Sequence, residues 1–118
     1  MKIASIVLAA VLAAEFVSFG TAKLVAVASM RKRAAHLGYS TAAYRGIGAL
    51  EIAAAGGVLV GLAQPPVGVA AGIGSALLMA GAVVVHVRNG DGVAEFVPAA
   101  GTGLVALGYL ATLSGVSP

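Results

Sequence analysis

Few side chains in this sequence can do ionic or acid–base chemistry: seven Lys and Arg, four Asp and Glu, and two His among 118 residues. Two of the carboxylates, Glu15 and Glu51, fall inside long apolar runs. A carboxylate near the centre of a bilayer costs roughly 2.5–3.5 kcal/mol on insertion scales, so two independent ionised ones would cost about 5–7 kcal/mol. A cost of that size calls for a partner or a purpose. Glu15, Phe19 and Lys23 are spaced i, i+4, i+8 and share one helix face. Tyr44, Gly48 and Glu51, at i, i+4, i+7, share another. Gly48 leaves room beside Glu51 for the edge of a substrate or for a closely packed helix. In one reading Glu15 and Glu51 form an acid/base pair, one donating and one accepting a proton, with Lys23 or Arg45 holding one of them ionised. His86 then relays protons to the aqueous side. Glu15, Glu51 and His86 are thus candidate catalytic residues, and Phe19, Lys23, Tyr44, Arg45 and Gly48 candidate ligand contacts. In the alternative reading Glu15 pairs with Lys23, Glu51 pairs with Arg45 or His86, and both acids merely fix helix register.

Other chemistries find less support. There is no cysteine, which excludes a structural disulfide, a thiolate metal site and a thiol relay within this chain. His86 with Glu15 and Glu51 has no metal-ligand spacing, so no metal site is expected. A haem would need His36 and His86 to face each other across a pocket, although one of them lies in a connection. No cofactor motif is evident.

The elements that position these groups follow from hydropathy. The chain is 60% hydrophobic and 9% charged, with a mean hydropathy of +1.05. A soluble domain carries about 25% charged residues, so lipid must solvate this one. Spans are expected over approximately 3–22, 44–63, 67–87 and 93–113, each about the 20 residues that cross a bilayer core. Met1-Lys2 and Ala13-Ala14 fit the outline of a secretory leader, but the lipophilic character continues beyond them. Between the first two spans, residues 23–43 either extend the first helix or form a short interfacial one. Gly38 is a helix stop there, and Ser40 or Thr41 an N-cap. Pro65-Pro66 starts the third span, and Arg88-Asn89-Gly90-Asp91-Gly92 is the clearest turn. Pro98 is expected in or near the first turn of the fourth span, where its missing N–H costs little. Residues 114–118 read as a polar tail.

Four spans with short connections predict one all-α domain, an integral membrane up-down-up-down bundle covering residues 1–118. Gly57-x-x-x-Gly61 and Gly68-x-x-x-Gly72 straddle the Pro-Pro turn and can bring the second and third spans into close contact. Lys23, Arg31, Lys32, Arg33 and Arg45 cluster around the first connection and Arg88 marks the third, while the second carries no basic residue. Connections one and three are therefore expected in the cytoplasm and both termini outside. The net charge of +3 is a matter of topology and of anionic lipid at Arg31-Lys32-Arg33, with no nucleic-acid partner implied. Tyr39, Tyr44 and Tyr109 are expected as interfacial anchors.

Several motifs carry a resemblance. Phe16-x-x-Phe19-Gly20-x-x-Lys23-Leu24, Leu37-Gly38-Tyr39-Ser40, Arg45-Gly46-Ile47-Gly48-x-Leu50-Glu51, and Ala80-Gly81-Ala82 with His86-x-Arg88-x-Gly90-Asp91 stand in chain order. Together they resemble the DoxX-like family of small four-helix membrane proteins. The resemblance implies the fold and the membrane placement. It also implies a quinone-linked activity, after a subunit associated with thiosulfate:quinone oxidation, or a partnership with redox enzymes or envelope complexes. It supplies no catalytic set.

Three functions are therefore expected as alternatives. The first is a protein that binds a small lipophilic molecule, such as a quinone, in an intramembrane polar pocket, with electrons supplied by a redox partner. The second is a cofactor-free enzyme that opens, isomerises or cyclises a lipophilic substrate through its glutamates. The third is an accessory subunit whose Gly/Ala-rich faces stabilise a larger envelope complex or a homo-oligomer.

Overall fold

The computed structural model of the chain describes residues 3–114. Met1-Lys2, read from the sequence in the outline of a leader, and residues 115–118, read as part of a polar tail, lie outside the described residues. The described residues form five helices: α1 (Ile3–Leu24), α2 (Ala28–His36), α3 (Thr41–Val60), α4 (Pro65–Arg88) and α5 (Val93–Leu113). Four of them, α1, α3, α4 and α5, are long and apolar enough to cross a membrane. The chain is a multi-pass helical membrane protein.

The breaks between helices have local causes. Ala26 adopts a left-handed φ of 52° between α1 and α2, and Arg31 Nη1 donates to its carbonyl at 2.5 Å, closing the elbow. Gly38, at φ 81°, ends α2 in a conformation that a Cβ would disfavour. Ser40 caps α3, its Oγ accepting from the Ala43 N–H at 3.0 Å. Pro65 opens α4, and Gly90, at φ 77°, turns the chain toward α5. Pro98 lies just past the first turn of α5, near where the sequence suggests, and the Ala94 carbonyl there lacks its usual helical partner.

The membrane helices form a ring in the order α1, α3, α4, α5 and back to α1, without diagonal backbone contact. The pairs α1 with α3 and α4 with α5 pack most extensively. Glycine sets two of the close approaches. A Cβ on Gly48 would sit 2.7 Å from the Gly20 carbonyl oxygen and 2.7 Å from Lys23 Cβ. A Cβ on Gly61 would lie 2.2 Å from Gly68 Cα. Gly57 packs on Ala71, so three of the four spaced glycines join α3 to α4 as expected. Gly72 faces Leu110 of α5 as well as Tyr109.

The core sits at the end of the ring near the Pro65 turn. It holds Leu12, Phe16, Ala55, Val58, Ala106 and Tyr109. Tyr109 is fully buried and donates to the Val58 carbonyl at 2.8 Å, tying α5 to α3. The sequence reading of Tyr109 as an interfacial anchor is thereby corrected: its ring fills the core, and its hydroxyl finds a backbone acceptor instead of water. At the opposite end α2 packs on α1 and α3 only. Met30 and Ala34 of α2 are buried, while Arg31, Lys32 and Arg33 remain exposed.

Candidate functional site

The two helix pairs leave a cavity of about 570 Å³ between them at the α2 end. This lies within the usual size of small-molecule sites, roughly 300–1,000 Å³. Leu77, Leu78, Ala82 and Val85 of α4 form an apolar wall, with Ala94, Pro98 and Thr102 of α5 beside it. Phe19 and Lys23 of α1 face them, with Tyr44, Ile47 and Glu51 of α3. Arg33 and His36 of α2 and the neighbouring Tyr39 close the aqueous end.

The polar floor is an ion pair. Lys23 Nζ donates to Glu51 Oε1 at 2.5 Å, and the two side chains are 12% and 4% exposed. Both residues sit on tightly opposed backbones, because Gly20 and Gly48 let α1 and α3 approach there. The ammonium also lies 5.2 Å from the Tyr44 ring centroid and 5.9 Å from that of Phe19. Aromatic faces stabilise a cation that burial would otherwise penalise. The Tyr44 and Tyr39 rings lie 6.1 Å apart. Lys23, which the sequence reading counted with the first connection, belongs to α1 and turns inward.

A second polar cluster stands at the rim. Asp91, in the turn after α4, accepts from His86 Nδ1 at 2.6 Å through Oδ2 and from His36 Nε2 at 2.7 Å through Oδ1. Asn89 Nδ2 lies 3.3 Å from the same Oδ1. These bonds, that from His86 foremost and that from His36 next, hold the Asp91 carboxyl below the ordinary aspartate range. The cluster bridges the C-terminus of α2 to the α4–α5 turn, across which no helix of the bundle packs. Among the described residues no group of His, Asp and Glu has the arrangement of a metal site.

The residues singled out in the sequence fall in different places. Glu51, His86, Phe19, Lys23 and Tyr44 all line the cavity. Glu15 is half-buried and accepts a hydrogen bond from Thr102 of α5; Thr102, not Glu15, forms the wall. Glu15 therefore does not pair with Lys23, and Glu51 pairs with Lys23 instead of Arg45 or His86. Arg45 is exposed on α3 and does not reach the cavity. Gly48 is filled by the backbone of α1, so its space serves a close helix and not a ligand. Sequence reasoning missed the roles of Thr102, Asn89 and Asp91. Of these only Asp91 carried a signal, standing five residues after His86 across a glycine-containing turn.

The sequence pattern of the DoxX-like family matches residues 7–109. The chain belongs to the DoxX-like family. The match runs from early α1 to Tyr109 in α5, so it spans all four membrane helices, α2 and the whole cavity lining of this DoxX-like protein. No curated protein matches the chain, and no solved structure does.

Proposed function

We propose that this DoxX-like protein binds a small lipophilic molecule in the cavity between its helix pairs, in a redox-associated role. The observation that carries the reading is an apolar chamber of about 570 Å³ with a buried, aromatic-flanked ion pair in its floor. A lipophile gains by burying its body against Leu77, Leu78 and Val85. Lys23, whose ammonium has three donors, offers hydrogen bonds to a carbonyl oxygen. Tyr39 and Tyr44 offer aromatic faces to a ring. A quinone has this combination of flat ring and carbonyl acceptors, and when bound it would accept electrons from a partner protein. The chain's own part would be to bind the ring, orient its carbonyl toward Lys23 and keep water out. The basic helix α2 would rest on the anionic cytoplasmic leaflet, with the α4–α5 turn on the same side and the Pro65 turn outside.

The test is binding by the purified full chain in lipid nanodiscs, using a short-tailed quinone as probe. Ala82 lines the wall, and Ala82→Phe adds a ring where the ligand would lie. The expected result is saturable binding by wild type that Ala82→Phe weakens at least tenfold while leaving thermal stability unchanged. Equal binding by the two proteins would refute the reading.

A further inference from the structure

His86 and Asp91 have a relation that the quinone reading does not use. An ionised carboxylate only accepts hydrogen bonds, so the ring nitrogen facing it must carry a hydrogen. Asp91 Oδ2 lies 2.6 Å from His86 Nδ1, which fixes the hydrogen on Nδ1. In the neutral ring Nε2 is then left with a lone pair. His86 lines the cavity, and its Nε2 makes no hydrogen bond among the described residues. A carboxylate on Nδ1 with a free Nε2 is the arrangement that orients a histidine to take a proton and stabilises the imidazolium that results. His36 continues the chain outward: its Nε2 bonds the other oxygen of Asp91, and its side chain is 57% exposed.

The charges around the cavity fit the product of such a transfer. Lys23 from α1 is already matched by Glu51 from α3. Arg33 from α2 also lines the cavity, and it has no carboxylate partner among the described residues. Glu95, at the start of α5, also lines the cavity, but it is exposed, and water screens its repulsion of a second negative charge there. Tyr44 from α3 contributes a neutral hydroxyl.

We propose that the cavity selects lipophiles bearing an acidic hydroxyl, a phenol or an enol, and binds them as the oxyanion with the proton lodged on His86 Nε2. This rests on the reading of the cavity as a lipophile site. In the step the ligand O–H bond breaks and its electron pair stays on oxygen. An N–H bond forms at Nε2, and no electron is gained or lost overall. The oxyanion is held by Arg33 and the imidazolium, while the apolar wall takes the ring and its tail. Asp91 is a positioning residue: it never meets the ligand and acts by fixing the His86 tautomer.

The experiment uses the full chain in nanodiscs of neutral lipid, with an alkylated nitrophenol as probe and its methyl ether as control. The phenolate has its own absorption band, so protonation of the bound probe is read directly. Ala82→Phe sets the background from probe dissolved in lipid. Wild type is expected to bind both compounds and to show the phenolate band below the pH at which the free probe ionises. In His86→Gln the ether should bind as before, while the phenolate-to-phenol ratio of bound probe falls at least tenfold. In Asp91→Asn the same ratio should fall, with ether binding again retained. Ether bound without a phenolate band in wild type, or a band unaltered in His86→Gln, overturns the proton-acceptor assignment and leaves the lipophile site standing. Binding of neither compound overturns both.

Discussion

At the scale of the residue, the buried charges are distributed by pairing. Glu51 reaches Lys23 and Glu15 reaches Thr102, each through one neighbour on another helix. The Lys23–Glu51 pair is the costlier arrangement, since both groups leave water and their mutual attraction, their hydrogen bond and the aromatic faces beside Lys23 must offset that loss. Removing one partner from such a pair is expected to destabilise by about 3–5 kcal/mol, because it strands the other charge. Lys23→Met should therefore lower the thermal midpoint of the purified protein sharply, and Glu51→Gln should do so as well. The double variant Lys23→Met/Glu51→Gln should recover most of the loss, because it leaves no unpaired charge. Differential scanning of the four proteins in one detergent checks this. Additive losses would mean that the two side chains do not depend on each other. A lipophile that engages Lys23 would make the same pair a point of contact between stability and binding.

At the scale of the element, hydropathy alone makes the four spans legible, and their ends follow from Gly38, Ser40, Pro65 and Gly90, whose turn chemistry is local. What the sequence could not settle was partnership. Glu15 and Glu51 stand out in any reading of burial, but which donor meets each depends on helix rotation, and an apolar helix in lipid has no strong polar face to reveal it. Thr102 was invisible for the same reason, being an ordinary small polar residue until α5 turns it toward Glu15. Tyr109 was misplaced because a tyrosine suits an interface and a core equally until its hydroxyl has an acceptor. Glycine gives this scale its prediction. Gly48 and Gly46 lie on the same helix, but a Cβ at Gly48 would meet α1 at 2.7 Å, whereas one at Gly46 would meet nothing within 4 Å. Gly48→Ala should force α1 and α3 apart and cost about 1–3 kcal/mol, as overpacking does. Gly46→Ala should be neutral or stabilising by up to about 1 kcal/mol from helix propensity. Equal effects in thermal unfolding would show that the α1–α3 approach does not depend on glycine.

At the scale of the whole molecule, the bundle has a closed end and an open one. Near the Pro65 turn, Gly61 meets Gly68 and Tyr109 ties α5 to α3. At the other end the helix pairs separate around the cavity, and the His36–Asp91–His86 cluster spans the gap. The basic residues Arg31, Lys32 and Arg33 belong to that open end, and His36 joins it to the turn that follows Arg88. Positive charge is retained on the cytoplasmic side of a membrane, so the open end should face the cytoplasm and the ligand site should lie in the inner leaflet. Because the chain has no native cysteine, single cysteines report topology without background. Gln64→Cys, just before the exposed start of α4, should react with a membrane-impermeant maleimide added to intact cells. Ser29→Cys, on exposed α2, should react only after the membrane is opened. The reverse pattern would place the cavity mouth on the outer face. Any partner that supplies electrons or removes protons would then have to be an extracytoplasmic one.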